Sequence, residues 1–182
     1  MPVIGLRDIR IVAAMSRVVV RPAEVADEKF LWEMLFEASY SHEQGRVSPD
    51  ELRGVPSLAH YVQGWGAPGD LGMIAVEGDS PRGAAWLRLF TGDNAAYGHV
   101  DDDTPELAIG VVPGMRGAGL GMVLMHNLLE SARSRYPAVS LSVRQENPAR
   151  RLYERLGFVE VPALSHTNPA GSTSVTMVLR FG

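Results

Sequence analysis

Six consecutive residues, RGAGLG at positions 116–121, place one arginine and three glycines between two apolar segments. The segment before them, residues 107–112, predicts a strand, and the segment after them predicts a helix. A glycine-rich turn at such a junction exposes unpaired backbone N–H groups at the positive end of a helix dipole, where phosphate binds. A surface connection without a ligand is the alternative. The predicted phosphate site comprises Arg116, Gly117, Ala118, Gly119, Leu120, Gly121 and Met122.

The common nucleotide motifs do not fit this turn. A dinucleotide fingerprint needs glycine where Met122 stands, and no acidic residue follows at the spacing of a ribose contact. A P-loop needs Gly-Lys-Ser/Thr, whereas the only lysine in the chain is Lys29. We therefore expect neither a Rossmann enzyme nor a P-loop NTPase.

A second segment, NPARRLYERLGF at residues 147–158, predicts a short helix with both ends marked. Asn147 suits the N-cap, Pro148 suits the first helical position, and Gly157 suits the position just beyond the C-terminus.

Two segments, VVPGMRGAGLG at residues 111–121 and NPARRLYERLGF at residues 147–158, together resemble the GNAT superfamily of acyl-CoA-dependent N-acyltransferases. The first matches the pyrophosphate signature of that family, Gln/Arg-x-x-Gly-x-Gly/Ala, and the second matches its asparagine-to-Gly-Phe helix. The resemblance extends over about residues 18–181, although its specific residues lie between 105 and 158.

The resemblance implies a sheet that splays apart between the strands at 106–112 and 139–143. The pantetheine arm of coenzyme A would enter this split and pair with backbone groups near Val111 and Val112. Asn147 would contact the same arm as well as cap its helix.

The resemblance also assigns two candidate catalytic residues. Glu106 would take the proton of the amine, and Tyr153 would donate a proton to the departing thiolate, both as general acid–base groups. The alternatives are a solvated carboxylate at a strand end for Glu106 and a half-buried core side chain for Tyr153. A water chain is a further alternative for the base.

The acceptor is less well defined by the sequence. Three consecutive acidic residues at 101–103 precede Glu106 and would suit a cationic amine such as an amino sugar, a polyamine or a peptide N-terminus; a solvated loop is the alternative. The aromatic residues that could line a pocket, or instead belong to the core or the rim, are Trp32, Tyr40, Trp65, Trp86 and Tyr97.

Composition excludes several classes of function. The chain has 182 residues, which suits one domain, and a net charge of −4 without any basic run argues against nucleic-acid binding. The absence of cysteine excludes disulfides, thiolate metal sites and cysteine nucleophiles, and the five histidines form no metal-binding spacing. No apolar run is long enough to cross a bilayer, so we expect a cytoplasmic protein without a membrane partner.

The element order predicts a mixed α/β or α+β domain, with flanking helices on a mixed central sheet. We expect a strand at 17–21, helices at 26–41 and 48–62, strands at 73–77, 84–90 and 106–112, and then a helix to about 134. A strand at 139–143, the capped helix, and strands near 158–161 and 175–181 complete the order. The domain would span residues 16–182, and residues 1–15 would be an added strand, a disordered arm or a start-site misassignment.

These residues predict an N-acetyltransferase that moves an acetyl group from acetyl-CoA directly to a primary amine of a small molecule or peptide, without a metal. The alternatives are a non-catalytic acyl-CoA-binding regulatory module and an acyltransferase for a longer acyl group. A homodimer and a monomer both remain open.

Overall fold

A computed structural model of the chain describes residues 17–167 and 171–182. The expectation for residues 1–15 lies outside the described residues. The described strands are β1 (Val18–Pro22), β2 (Leu71–Glu77), β3 (Ser80–Arg88), β4 (Glu106–Val111), β5 (Ala138–Arg144), β6 (Val159–Glu160), β7 (His166–Thr167) and β8 (Thr173–Arg180). They form one sheet in the order β1-β2-β3-β4-β5-β8-β6, with β7 also paired to β8.

Helices cover both faces of this sheet. They are α1 (Glu28–Ala38), α2 (Pro56–Ala59), α3 (Leu120–Arg133) and α4 (Arg150–Arg155). The apolar face of α1 packs with Trp86 of β3 in one buried cluster. The apolar face of α3 packs with alternate residues of β3, β4 and β5 in a second cluster on the opposite face. The expectation of a mixed sheet with flanking helices is therefore confirmed.

The sheet opens between its two central strands. All neighbouring strands are antiparallel except β4 and β5, which are parallel. Within the described residues, only Glu106 and Ser140 are paired across β4 and β5. The two strands diverge beyond this pair, as the splayed sheet expected from the sequence requires.

The segment predicted as a second helix, residues 48–62, is instead a 3-10 helix at Pro49–Gly54 followed by the single turn of α2. Ser48 does begin the helix with a capping box to Glu51. Gly54 and Pro56 then interrupt it, because proline lacks an N–H and restricts the residue before it.

No helix in the described part of the chain has the length and apolar character needed to cross a membrane.

Candidate active site

The glycine turn lies between the end of β4 and the start of α3. Gly117 and Gly119 adopt positive φ values of 75° and 86°, a conformation that glycine tolerates without strain. Gly119 is the N-cap of the 14-residue helix α3. Among the described residues, no backbone acceptor pairs with the N–H groups of Gly117, Gly119, Leu120 and Gly121. Four free donors at a helix N-terminus can bind an anionic group.

The edge of β4 that faces the split is defined by its hydrogen bonds. The Ser140 N–H donates to the Pro105 carbonyl at 3.0 Å, so odd-numbered residues of β4 direct their backbone groups toward β5. Ile109 and Val111 therefore present unpaired backbone groups to the split. Val112 differs, because its N–H donates to Arg82 and its carbonyl accepts from Met115.

Glu106 lies at the closed end of the split with only 2% of its surface exposed. The Tyr61 hydroxyl donates to its Oε1 at 2.5 Å, and the backbone of Gly98 lies against its carboxyl group. Burial raises the Glu106 pKa from its ordinary value of 4.5 to about 7, although the Tyr61 hydrogen bond and the nearby Gly98 backbone oppose this shift. A carboxyl group with this pKa can accept and release a proton near neutral pH.

Two buried side-chain oxygen atoms at the closed end of the split have no hydrogen-bond partner among the described residues. They are Glu106 Oε2 and Ser140 Oγ, which belong to the one paired position of β4 and β5. Buried polar groups are rarely left unsatisfied, and an ordered water is a common partner. The arrangement has the chemistry to hold a proton-relay water beside Glu106.

Tyr153 is buried on α4 and packs edge-to-face against Phe158, with the ring centroids 6.0 Å apart. Burial, with a smaller contribution from Tyr40, raises the Tyr153 pKa above its ordinary value of 10.0. The phenol therefore stays protonated and can donate a hydrogen bond at neutral pH. The N-cap of this helix is Ala149 rather than the predicted Asn147. Asn147 lies two residues earlier, and its side-chain oxygen accepts from the Ala149 N–H at 2.9 Å.

The arginines near the split are already engaged by carboxylates. Arg116 donates to Glu37 at 2.5 Å, and Arg150 donates to Glu160 at 2.9 Å. The phosphate donors that are free in the turn are thus backbone groups rather than the Arg116 side chain.

Comparison with known proteins agrees with this geometry. A family model described as "Acetyltransferase (GNAT) domain" matches residues 93–181. The mycothiol acetyltransferase of Kineococcus radiotolerans is 30% identical over 157 residues, which cover 85% of this chain. The chain belongs to the GNAT acetyltransferase superfamily.

The GNAT relative is the longer protein, since the match spans only 46% of its length.

Solved GNAT structures share the fold. The ribosomal-protein-S18-alanine N-acetyltransferase of Escherichia coli has a TM-score of 0.62 at 20% identity, covering 91% of this chain and 94% of that chain. The Vibrio cholerae spermidine N-acetyltransferase, in complex with CoA and spermine, has a TM-score of 0.60 at 20% identity, covering 91% and 96%. GNAT enzymes are acyltransferases, and the family uses acetyl-CoA.

The GNAT site also contains residues that the sequence analysis missed. Tyr61 contacts Glu106 from 45 residues away, and no motif marks it. Ser140 and Ile109 join the site only through strand pairing and strand alternation. Alternation along β5 was the one available signal, because a serine between apolar neighbours in a predicted strand lies on the opposite face from them.

Most of the aromatic residues considered as pocket residues belong to the core. Trp32, Trp65 and Trp86 are buried in the cluster on the α1 face, whereas Tyr97 is 46% exposed and stacks on His166. Tyr40 alone lies beside the open end of the split, against Arg144.

No group of histidine and acidic side chains suited to a metal ion occurs in the described residues.

Proposed function

We propose that the protein transfers the acetyl group of acetyl-CoA to a primary amine by direct transfer in a ternary complex. The observation that carries the proposal is the open sheet. The unpaired edge of β4 leads at one end to the free N–H groups of the glycine turn. At its closed end lies Glu106, a buried carboxyl group with a pKa of about 7.

The residues present fit acetyl-CoA, which supplies an activated acetyl group and a thiolate leaving group when bound. Gly117, Gly119, Leu120 and Gly121 would hold its pyrophosphate through four backbone donors. The backbone of Val111, together with that of Ile109, would pair with the pantetheine arm. Val112 would contribute its side chain only, since both of its backbone groups are bonded within the protein.

Glu106 would accept the amine proton. Because Tyr61 and Gly98 enclose its carboxyl group, the proton would pass through a water held between Glu106 Oε2 and Ser140 Oγ. Tyr153 would donate a proton toward the leaving sulfur from α4. No covalent enzyme intermediate is needed, and the sequence contains no cysteine nucleophile.

The test is to mix the purified protein with acetyl-CoA and a panel of primary amines while following thiol release and the mass of the acetylated product. We expect at least one amine to raise thiol release above hydrolysis, with intersecting initial-rate lines for the two substrates. Parallel lines would contradict direct transfer. Binding of acetyl-CoA without turnover on any amine would instead support an acyl-CoA-binding module, and faster reaction of longer acyl-CoA donors would reassign the donor.

Glu106→Gln should remove the acidic limb of the pH–rate profile. In the parent protein the rate should rise with pH through about 7, because only the ionised carboxylate accepts a proton. The variant cannot ionise at this position, so its residual rate should not follow that titration. The measurement is kcat from pH 5 to 9, and an unchanged limb would place the base elsewhere.

The same variant has a distinct expected effect on stability. The pKa of Glu106 is higher in the folded protein than its ordinary value of 4.5, so its contribution to the free energy of unfolding is present below that value and lost as pH rises through about 7. Glu106→Gln should remove this decrease in the free energy of unfolding as the pH rises. Unfolding measured at pH 5 and pH 8 would show a smaller decrease in the variant than in the parent protein.

Tyr61→Phe should move the acidic limb rather than remove it. The Tyr61 hydroxyl donates to Glu106 Oε1 and thereby lowers the pKa of the carboxyl group. Its loss should shift the limb to higher pH while the plateau value of kcat stays within about threefold, a modest change for a group that does not itself transfer a proton. A limb that stays in place, or moves to lower pH, would contradict this role of Tyr61.

A further inference from the structure

Three side chains form a cluster at the open end of the split: Tyr40, Glu43 and Arg144. The Arg144 guanidinium lies over the Tyr40 ring at 4.1 Å from its centroid. Its Nη1 donates to Glu43 Oε2 at 2.5 Å. Arg144 is largely covered, with 23% of its side chain exposed, whereas Glu43 is 58% exposed. The arginine is thus held by an aromatic ring, and its carboxylate partner is a solvated surface residue.

Arg144 lies on the same face of β5 as the candidate base. Side chains alternate along the strand, so Ser140, Ser142 and Arg144 share a face, and Ser140 is paired with Glu106. Arg144 stands four residues beyond that pair, about 13 Å along the strand. It has a partner on β8 but none on β4, because the strands have diverged there. The acetyl-transfer site proposed above lies between Glu106 and Arg144.

Tyr40, whose ring holds Arg144, has an unusual backbone conformation. It is the one described non-glycine residue with positive φ, at 54°. This conformation at a helix end favours glycine, and strained residues of this kind concentrate at functional sites. Tyr40 also contributes, less than burial does, to the raised pKa of Tyr153. An anion bound by Arg144 would therefore lie at the open end of the split, on the face of β5 that carries Ser140.

We propose that Arg144 anchors the acceptor through a carboxylate, so that the substrate is a small amine that also carries a carboxylate, such as an amino acid. The inference rests on the function proposed above. In the free protein the Glu43 carboxylate is bound to the Arg144 guanidinium, and the carboxylate of the acceptor displaces it. An arginine fork binds carboxylates in a bidentate manner, and a solvent-exposed carboxylate such as that of Glu43 is easily exchanged.

The acidic triplet at residues 101–103 has partners within the protein. Asp101 interacts with Thr104 and Arg180, and Arg180 is paired with Ala138 at the opposite end of β5 from Arg144. Asp102 accepts from the Gly92 N–H at 3.3 Å within its own loop. The Asp101 and Asp102 carboxylates thus support their own loop, and Asp101 lies toward the end of β5 opposite to Arg144.

The test compares kcat/KM for free amino acids with kcat/KM for their carboxamides, which keep the amine and lose the anion. We expect the parent protein to prefer the acids by about 10- to 100-fold, as for a hydrogen-bonded charged partner. Arg144→Ala should bring the acid-to-amide ratio close to 1, and Arg144→Lys should retain part of it. Glu43→Gln should lower KM for the acids, because the competing carboxylate is gone.

Arg133→Ala is the matched control, since Arg133 also stacks on an aromatic ring, Phe181, at 5.3 Å from its centroid. The Arg133→Ala variant should keep the acid-to-amide ratio of kcat/KM that the parent protein shows. Equal rates for acids and amides, or a preference for spermidine, in an otherwise active enzyme would overturn this inference alone. A ratio that survives Arg144→Ala would also overturn it. Absence of acetylation for every amine would overturn the proposed function instead.

Discussion

Replacing Gly119 with glutamate should raise the Kd of acetyl-CoA by more than about 100-fold, since charge-assisted bonds to several donors would be lost together. Gly119 is the N-cap of α3 and lies among the four free N–H groups of the turn. An added Cβ would meet nothing within 4 Å, so the new side chain occupies open space beside these donors. Its carboxylate would bind the donors or repel the pyrophosphate.

The measurement is calorimetric titration of the folded variant with acetyl-CoA. Because Gly119 has a φ of 86°, any side chain there also adds strain of about 1–2 kcal/mol. Gly78→Glu is the matched control, since Gly78 has a φ of 60° and open space around its Cβ but lies in the β2–β3 hairpin. The control should show a similar loss of stability and normal affinity. A folded Gly119→Glu protein with normal affinity would contradict the phosphate site.

Tyr153→Phe should lower kcat by about 10- to 1000-fold while acetyl-CoA affinity changes little, as expected for loss of a positioned general acid. The substitution keeps the ring and its packing against Phe158 and removes only the hydroxyl. Burial holds the Tyr153 pKa above its ordinary value, so the group that is lost is a protonated donor throughout the working pH range.

Steady-state kinetics and donor titration together distinguish catalysis from binding in this variant. Tyr136→Phe is the control, because Tyr136 is another partly buried tyrosine whose hydroxyl donates to the Gly69 carbonyl, away from the split. It should leave kcat within about twofold of the parent value, as for most substitutions remote from a site. Full kcat in Tyr153→Phe would mean that the thiolate leaves without a proton from this residue.

The features that could be predicted from sequence are those that depend on local chemistry. The glycine turn and the C-terminal end of α4 are such features, since positive φ is a preference of single residues. Gly119 and Gly157 both adopt positive φ. Asn147 accepts a hydrogen bond from Ala149, but α4 begins two residues later than predicted, because Ala149 is its N-cap. The position of Glu106 at the start of β4 followed from hydrophobic patterning.

The contacts that tune these residues could not be predicted, because they join distant parts of the chain. The hydrogen bond between Tyr61 and Glu106 spans 45 residues, and the one between Arg144 and Glu43 spans 101. No fixed spacing in the sequence predicts either contact, because each depends on how α1 and the following segment pack on the sheet. The raised pKa of Glu106 likewise arises from tertiary burial and has no local signature.

The divergence of β4 and β5 also bears on how the protein avoids self-association. Unpaired strand edges invite the addition of a strand from another molecule, which leads to aggregation. A foreign strand would need a constant spacing of about 4.8 Å from each neighbour, and two edges that diverge from the single Glu106–Ser140 pair offer no such parallel channel. The divergence of β4 and β5 therefore disfavours non-native sheet growth while leaving the backbone of Ile109 and Val111 accessible to a thin, flexible chain.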